Sequence, residues 1–306
     1  MKNYYELISK KMKRLFSLVL SVLIIGFCQA QKEKLELNLT KGETYSMKIT
    51  SKFTLDVPAH GKQIKSEGLT YSKINYHVVE IHDSIYDMEA KVDSILYKGN
   101  SFNFVSGMYN VSDSKVPDDS KNLYIQRIMK SIKGMPFHFK MSRTGKINDL
   151  KNANVDTSKI QFACNLLFQG MVQTVPAMYP VVQVSRGDKW TINDAFPSSA
   201  FSKTGTIYEL KEVTDNTLVI LGTSIVKTNG NDANNAKANA NPMPDITTTV
   251  TSNIKIDRKT GWVIDAKINQ TVKGTVVEKV DSKNPVTKIS QMNMTSETTL
   301  SGNNQF

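Results

Sequence analysis

Two cysteines in 306 residues exclude a scaffold built on disulfides, and 16 glycines with 9 prolines exclude collagen-like and proline-rich repeats. No apolar run reaches the roughly 20 residues that a helix needs to cross a bilayer. The only long one, Leu15–Phe27 (LFSLVLSVLIIGF), has 13. No Gly-x-Ser-x-Gly elbow, Walker loop or His-Glu-x-x-His helix is present, so the chain offers no local signature of a hydrolase, nucleotide-binding enzyme or zinc protease. The formal net charge is +11, yet no arginine-rich stripe is interleaved with aromatics, and a nucleic-acid partner is not expected. What remains, 40% hydrophobic and 22% charged residues, is the balance of a globular protein.

The apolar run follows Lys10, Lys11, Lys13 and Arg14 and leads to Ala30, the pattern of a cleavable secretory signal cut after Ala30. Translation from Met12 would give a signal of more ordinary length, and either start exports the protein to the periplasm or beyond. Phe27 precedes Cys28, and a bulky aromatic there argues against lipidation. Loss of residues 1–30 removes five basic side chains and Glu6 and leaves a moderate positive balance, with no transmembrane segment in the remainder. Cys164, the one cysteine left, sits in Phe162-Ala163-Cys164-Asn165-Leu166-Leu167 and reads as a small buried hydrophobe.

Three weak signals recur in the same order in two halves. Lys41-Gly42-Glu43-Thr44-Tyr45 parallels Arg186-Gly187-Asp188-Lys189-Trp190, a turn feeding a strand. Tyr76–Asp83 parallels Tyr208–Asp215, with Tyr, Glu and Asp coincident. The third pair, Phe139–Ile147 and Ile254–Val263, reads as two hairpins turning at Thr-Gly. Together they predict one β-rich domain over 31–306, made of pseudo-repeats at about 35–150 and 180–305.

Period-two patterning places strands over Glu43–Val57, Ile85–Tyr97, Leu218–Val226 and Ile246–Ile256. Two segments carry helical spacing instead: Leu123–Lys133, with Ile125, Ile128, Met129 and Ile132 on one face, and Thr157–Met178, closed by Pro176 and Pro180. The predicted class is mainly β with two packed helices (α+β), a duplicated antiparallel curved sheet or half-barrel. Asn- and Ala-rich residues 227–245 read as a flexible loop within the second half.

Little in the chain points to chemistry. His77, Glu80, His82 and Asp83 cluster in sequence, but on a strand His77 faces away from Glu80 and His82, so no metal site and no cofactor are expected. The repeated Glu80/Glu212 and Asp83/Asp215 invite an acid–base pair, yet an Asp at a turn caps its own backbone. Without a catalytic motif, the chain does not read as an enzyme. The apolar candidates for ligand contact are Met129, Ile132, Phe139 and Met141, then Leu167, Phe168 and Met171, and finally Trp190 and Trp262. Each of these types also fills cores: thioethers adapt to greasy ligands and to irregular gaps alike, and a Trp beside a turn is often a plug.

The run Pro180-Val181-Val182-Gln183-Val184-Ser185-Arg186-Gly187-Asp188-Lys189-Trp190, the paired Thr-Gly turns and the signal ending in Ala30-Gln31 resemble an uncharacterised family of exported Bacteroidetes proteins, a domain of unknown function. That family supplies no catalytic residues. In architecture the expected fold resembles, more distantly, the lipoprotein-carrier folds, which implies a concave sheet holding acyl chains. The expected function is therefore a non-catalytic secreted or periplasmic binding protein for a hydrophobic or amphipathic, lipid-like ligand. The alternative is an envelope structural or protein-interaction module with another envelope protein as its partner.

Overall fold

A computed structural model describes residues 32–59, 62–99, 130, 133–151, 178–193, 205–227, 246–279 and 287–305. Eleven strands make up the described elements: β1 (Thr44–Ala59), β2 (Lys62–His82), β3 (Ile85–Gly99), β4 (Pro136–Ser142), β5 (Ile147–Lys151), β6 (Lys189–Ile192), β7 (Thr206–Val213), β8 (Thr217–Lys227), β9 (Ile246–Asp257), β10 (Val263–Lys279) and β11 (Thr287–Gln305). They form one antiparallel sheet in the order β5-β4-β3-β2-β1-β11-β10-β9-β8-β7-β6. Two meanders thus run in the same direction along the sheet, and β11 joins them by pairing with β1 on one side and β10 on the other.

The α+β expectation is corrected: no helix is among the described elements, and the described protein is an all-β, single-sheet molecule. Except for Lys130, Lys133 and Met178, the two segments read as helices lie outside the described residues, as do residues 1–31 and the loop over 228–245. Of the two described residues in the first of these segments, Lys130 is helical and Lys133 forms a β-bridge with Val92. Greasy strand faces do require a partner layer. At the end of the sheet that carries the β4–β5 and β9–β10 turns, that layer is the sheet itself, rolled over, and an extended N-terminal strap of residues 33–40.

Hydrogen bonds of the strap reveal the rolling. Leu37 N–H donates to Arg143 O in the β4–β5 turn, and its neighbour Asn38 N–H donates to Thr260 O in the β9–β10 turn, both at 2.8 Å. Strands β4 and β10 stand five places apart in the sheet, about 24 Å if it were flat, whereas adjacent Cα atoms are about 3.8 Å apart. Only a sheet curled at this end brings both turns to one short segment. Leu35, Leu37 and Leu39 alternate into the core, while Glu36 meets Arg143 and the nearly buried Glu33 meets Arg258. Tyr86 Oη donates to Leu37 O (2.8 Å) and accepts from Leu39 N–H (3.3 Å). Tyr45 Oη accepts from Thr40 N–H at 3.2 Å.

The paired sequence signals occupy matching places. Gly42 N–H donates to Val78 O, which belongs to the same residue whose N–H returns to Glu43 O; Gly187, Leu210 and Asp188 repeat that pair of bonds. Positive φ at Gly42 (82°) and Gly187 (90°) makes the turn that feeds β1 and β6, a conformation costly to any residue with a Cβ. The ladder also slips in both halves at matching points, between Val78 and Glu80 and between Leu210 and Glu212. Tyr45 and Trp190 then turn inward, onto Trp262 and Tyr208 respectively.

Candidate ligand-binding face

Strands of 16, 21, 17 and 19 residues in β1, β2, β10 and β11 run far beyond the strap, so the inner face has two regions. Near the strap it is a packed core of Tyr45, Met47, Tyr76, Met88, Ile220 and Ile254, all buried. Trp262 closes this region, 5.0 Å from the Tyr45 ring and 5.4 Å from Tyr76 by centroids. It seats over Gly302, where a Cβ would lie 1.8 Å from Val263 O. The Trp262 Nε1–H is buried and has no hydrogen-bond partner among the described residues. Burial pushes the phenols of Tyr76 and Tyr179 far up, and those of Tyr45 and Tyr86 up as well.

Farther along the strands the inner face changes composition. The registers align Thr70, Ser51, Thr298, Ile268, Ser252 and Gly222 as one row across β2, β1, β11, β10, β9 and β8. The next row reads Gly68, Phe53, Ser296, Gln270, Val250 and Ser224. The row beyond reads Ser66, Leu55, Met294, Val272, Thr248 and Val226, and is followed by Met292 and Ile246, so the apolar share rises again toward the far end. Leu55, Met292, Met294 and Ile246 are half-buried, as are most of the belt's hydroxyls and Gln270, whereas Phe53, Ile268, Ser224, Val272 and Val226 are buried. A hydroxyl and amide belt therefore separates the core from an outer apolar zone. Thr298 Oγ1 donates to Ser51 Oγ (2.9 Å), and Ser296 Oγ reaches Gln270 Oε1 at 3.4 Å. Two glycines shape the belt: a Cβ at Gly68 would strike the Phe53 ring, and one at Gly222 would strike Ser252 Oγ.

Among the described residues of these strands, charge lies on the other face. Alternation sends Lys52, Lys267, Lys273 and Glu297 outward from the strands whose inner side chains form the belt. Cross-strand ion pairs Lys267–Glu297 (2.7 Å) and Lys73–Asp93 (2.9 Å) lie there, each ammonium holding its carboxylate below the usual range. A membrane-spanning barrel carries an apolar band outside. This sheet has the opposite polarity among its described residues. An open groove of about 460 Å³ also lies at the far end, lined by Thr54, Asp56, Lys65, Glu67, Asn293 and Thr295 with Leu55 and Met294, mostly polar side chains of the outer face.

Of the residues expected to touch ligand, Phe139, Met141 and Trp262 are buried in the core beside the strap. Trp190 is half-buried on β6, stacked on Tyr208 with centroids 5.9 Å apart, its Nε1–H donating to Met178 O at 2.7 Å. Met129, Ile132, Leu167, Phe168 and Met171 lie outside the described residues. The four described candidates therefore sit at the packed end, whereas the half-buried face is formed by residues that sequence reasoning passed over. The His77 cluster is dispersed: His77 Nδ1 meets Thr44 Oγ1 at 3.2 Å, Glu80 pairs with Lys41, and His82 pairs with Asp87. Lys41 holds the Glu80 carboxyl below its ordinary range. Glu212 is exposed on β7, six places from β2 in the sheet, and the two repeated glutamates share no pocket among the described residues. No group of three or more His, Cys, Asp or Glu able to hold a metal occurs among the described residues.

Fold and face together define, among the described residues, an all-β protein with one rolled antiparallel sheet whose strands carry their charges on the outer face. Residues 166–263 match a family described as a family of unknown function (DUF6263), in agreement with the resemblance to a domain of unknown function. No curated protein matches the chain. Among solved structures it is similar to a chain from a study of lipid–protein interactions in lipovitellin, at 12% identity and a TM-score of 0.49, over 87% of this chain and 25% of that one. It thus spans a quarter of the lipovitellin chain's length. A second similarity, at 8% identity and a TM-score of 0.18, is to an outer membrane channel from Pseudomonas putida F1, over 86% of this chain and 97% of that one. No helix among the described residues is long and apolar enough to cross a membrane.

Proposed function

We propose that this is an exported, non-catalytic binding protein of the cell envelope that holds an amphipathic, acyl-bearing ligand on the far half of its inner sheet face. One observation carries the reading: the inner face passes from buried core to half-buried Leu55, Met292, Met294 and Ile246 on strands that continue well past the packed end. Such a surface gains about 0.8 kcal/mol for each methylene it takes from water, so an acyl chain is a suitable occupant. The basic-then-apolar N-terminal stretch supports export. Val181 (90% exposed) and Val182 (66%), ahead of β6, support a second reading, contact with an envelope protein.

The test is native mass spectrometry of the protein purified from its own cells, followed by organic extraction and lipid analysis. A stoichiometric acyl-bearing species is expected. An apo mass, together with no uptake of a fluorescent acyl probe, would overturn the ligand reading and leave the protein-contact one.

A further inference from the structure

The belt between core and apolar zone constrains which ligand the face accepts. Resting on the reading just given, we infer that the ligand has an uncharged, hydrogen-bonding head, a hydroxyl, ester or amide group, seated on the belt with its acyl chain running toward the far end of the sheet. Three observations lead there. First, the belt carries donors and acceptors without charge: Ser51, Thr70, Thr298, Ser252, Gln270 and Ser224. Second, its hydrogen-bonding capacity is only partly used. The Gln270 carboxamide accepts from Ser296 at a long 3.4 Å, its NH2 group has no partner among the described residues, and the Ser252 hydroxyl has none either. Third, the charges of these strands project from the opposite face, where Lys267 and Glu297 neutralise each other.

A phosphate or carboxylate head placed on the belt would lose part of its hydration and meet no counter-charge there, which disfavours it against an uncharged head. A glyceryl hydroxyl or an ester would exchange water for the Gln270 amide and the Ser252 hydroxyl at little cost. The order of the rows sets the orientation. The belt lies on the core side and the Leu55, Met294, Val272 and Val226 row lies beyond it, so the head points toward the strap and the chain away from it.

The experiment compares two probes that share an acyl chain, 1-oleoylglycerol and oleate, by titration into the purified, delipidated protein at a pH where oleate is ionised. Tighter binding of 1-oleoylglycerol, by about tenfold or more, is expected. Equal or tighter binding of oleate would overturn the inference about the head while leaving an acyl-binding protein; binding of neither, nor of a phospholipid vesicle, would overturn the ligand reading itself. Gln270→Lys supplies a second arm, because a cation in the belt should reverse the preference toward oleate. Its circular dichroism and unfolding midpoint report whether the fold is kept. A folded Gln270→Lys protein that still prefers 1-oleoylglycerol by the wild-type margin would show that the head does not sit on the belt.

Discussion

Substitution of Arg258 by Met removes one of two arginines at matching places in the two meanders, and the two should differ in energy. Arg258 Nη2 and Nε reach the Glu33 carboxylate at 2.8 and 3.3 Å, and Nη1 donates to Thr214 O at 3.0 Å. The side chains are 27% and 11% exposed. Arg143 makes a single contact of 3.4 Å with Glu36, the pair being 36% and 22% exposed. Arg258→Met strands a nearly buried carboxylate, and breaking a buried pair costs about 3 kcal/mol or more. Arg143→Met removes a partly solvated pair worth roughly 0.5 to 1 kcal/mol. Urea unfolding of both variants measures the difference, which for Arg258 corresponds to a drop in Tm of roughly 6 to 12 °C in a protein of this size. A cycle with Glu33→Gln isolates the pairwise part, expected near 2 kcal/mol because removal of both partners leaves no unpaired charge. Equal costs for the two arginines, or a coupling below about 0.5 kcal/mol, would refute the view that the strap is clamped chiefly at Glu33.

Gly302→Ala should cost about 3 kcal/mol or more, since its Cβ would fall 1.8 Å from Val263 O, whereas Gly187→Ala meets open space and pays only about 1 to 2 kcal/mol for φ near 90°; unfolding midpoints separate the two. Tyr45, Tyr76, Tyr86 and Tyr179 have phenols raised by burial, so above the ordinary value near 10 the unfolded chain releases protons that the native state keeps. Stability should therefore be indifferent to these groups below about pH 10 and fall as pH rises past it, and a tyrosinate absorbance titration should leave the four un-ionised until the chain unfolds. Reversible ionisation of every tyrosine near 10 would contradict that burial. The two tryptophans should also differ: emission from Trp190→Phe, which reports buried Trp262, should resist iodide quenching, and emission from Trp262→Phe, which reports half-buried Trp190, should not.

The parts of the fold legible in the sequence are those with a strong period or a fixed turn. Tyr45, Met47 and Ile49 alternate with polar neighbours and form β1, and the two Thr-Gly turns fall where positive φ is needed, at Gly145 and Gly261. The strap was equally legible in kind, since Leu35, Leu37 and Leu39 alternate with Lys34, Glu36 and Asn38, but nothing local says that an extended segment crosses a sheet instead of joining it. Helical spacing of apolar residues suggests a second layer of helices, whereas the described core is covered by the sheet's own curl and the strap. The belt is not legible in the sequence because Ser and Thr form strands on either face, so Thr298 inside and Thr299 outside read alike until register assigns them. Phe139, Met141 and Trp262 show the converse, being large apolar side chains whose type suits a pocket or a core equally.

The place of β11 has a kinetic consequence. Its hydroxyl contact from Thr298 to Ser51 spans 247 positions, and the strand that welds the two meanders is the last of the eleven to be made. Loop-closure entropy must be spent before that pairing returns anything, and contacts so distant in sequence slow folding. Until β11 arrives, the 16-residue β1 presents a long unpaired edge, the kind of surface to which stray strands attach. Lys48 and Lys52 project from that edge strand at intervals and make a foreign β-ladder electrostatically awkward, so the charges that face solvent in the finished sheet also guard the waiting one.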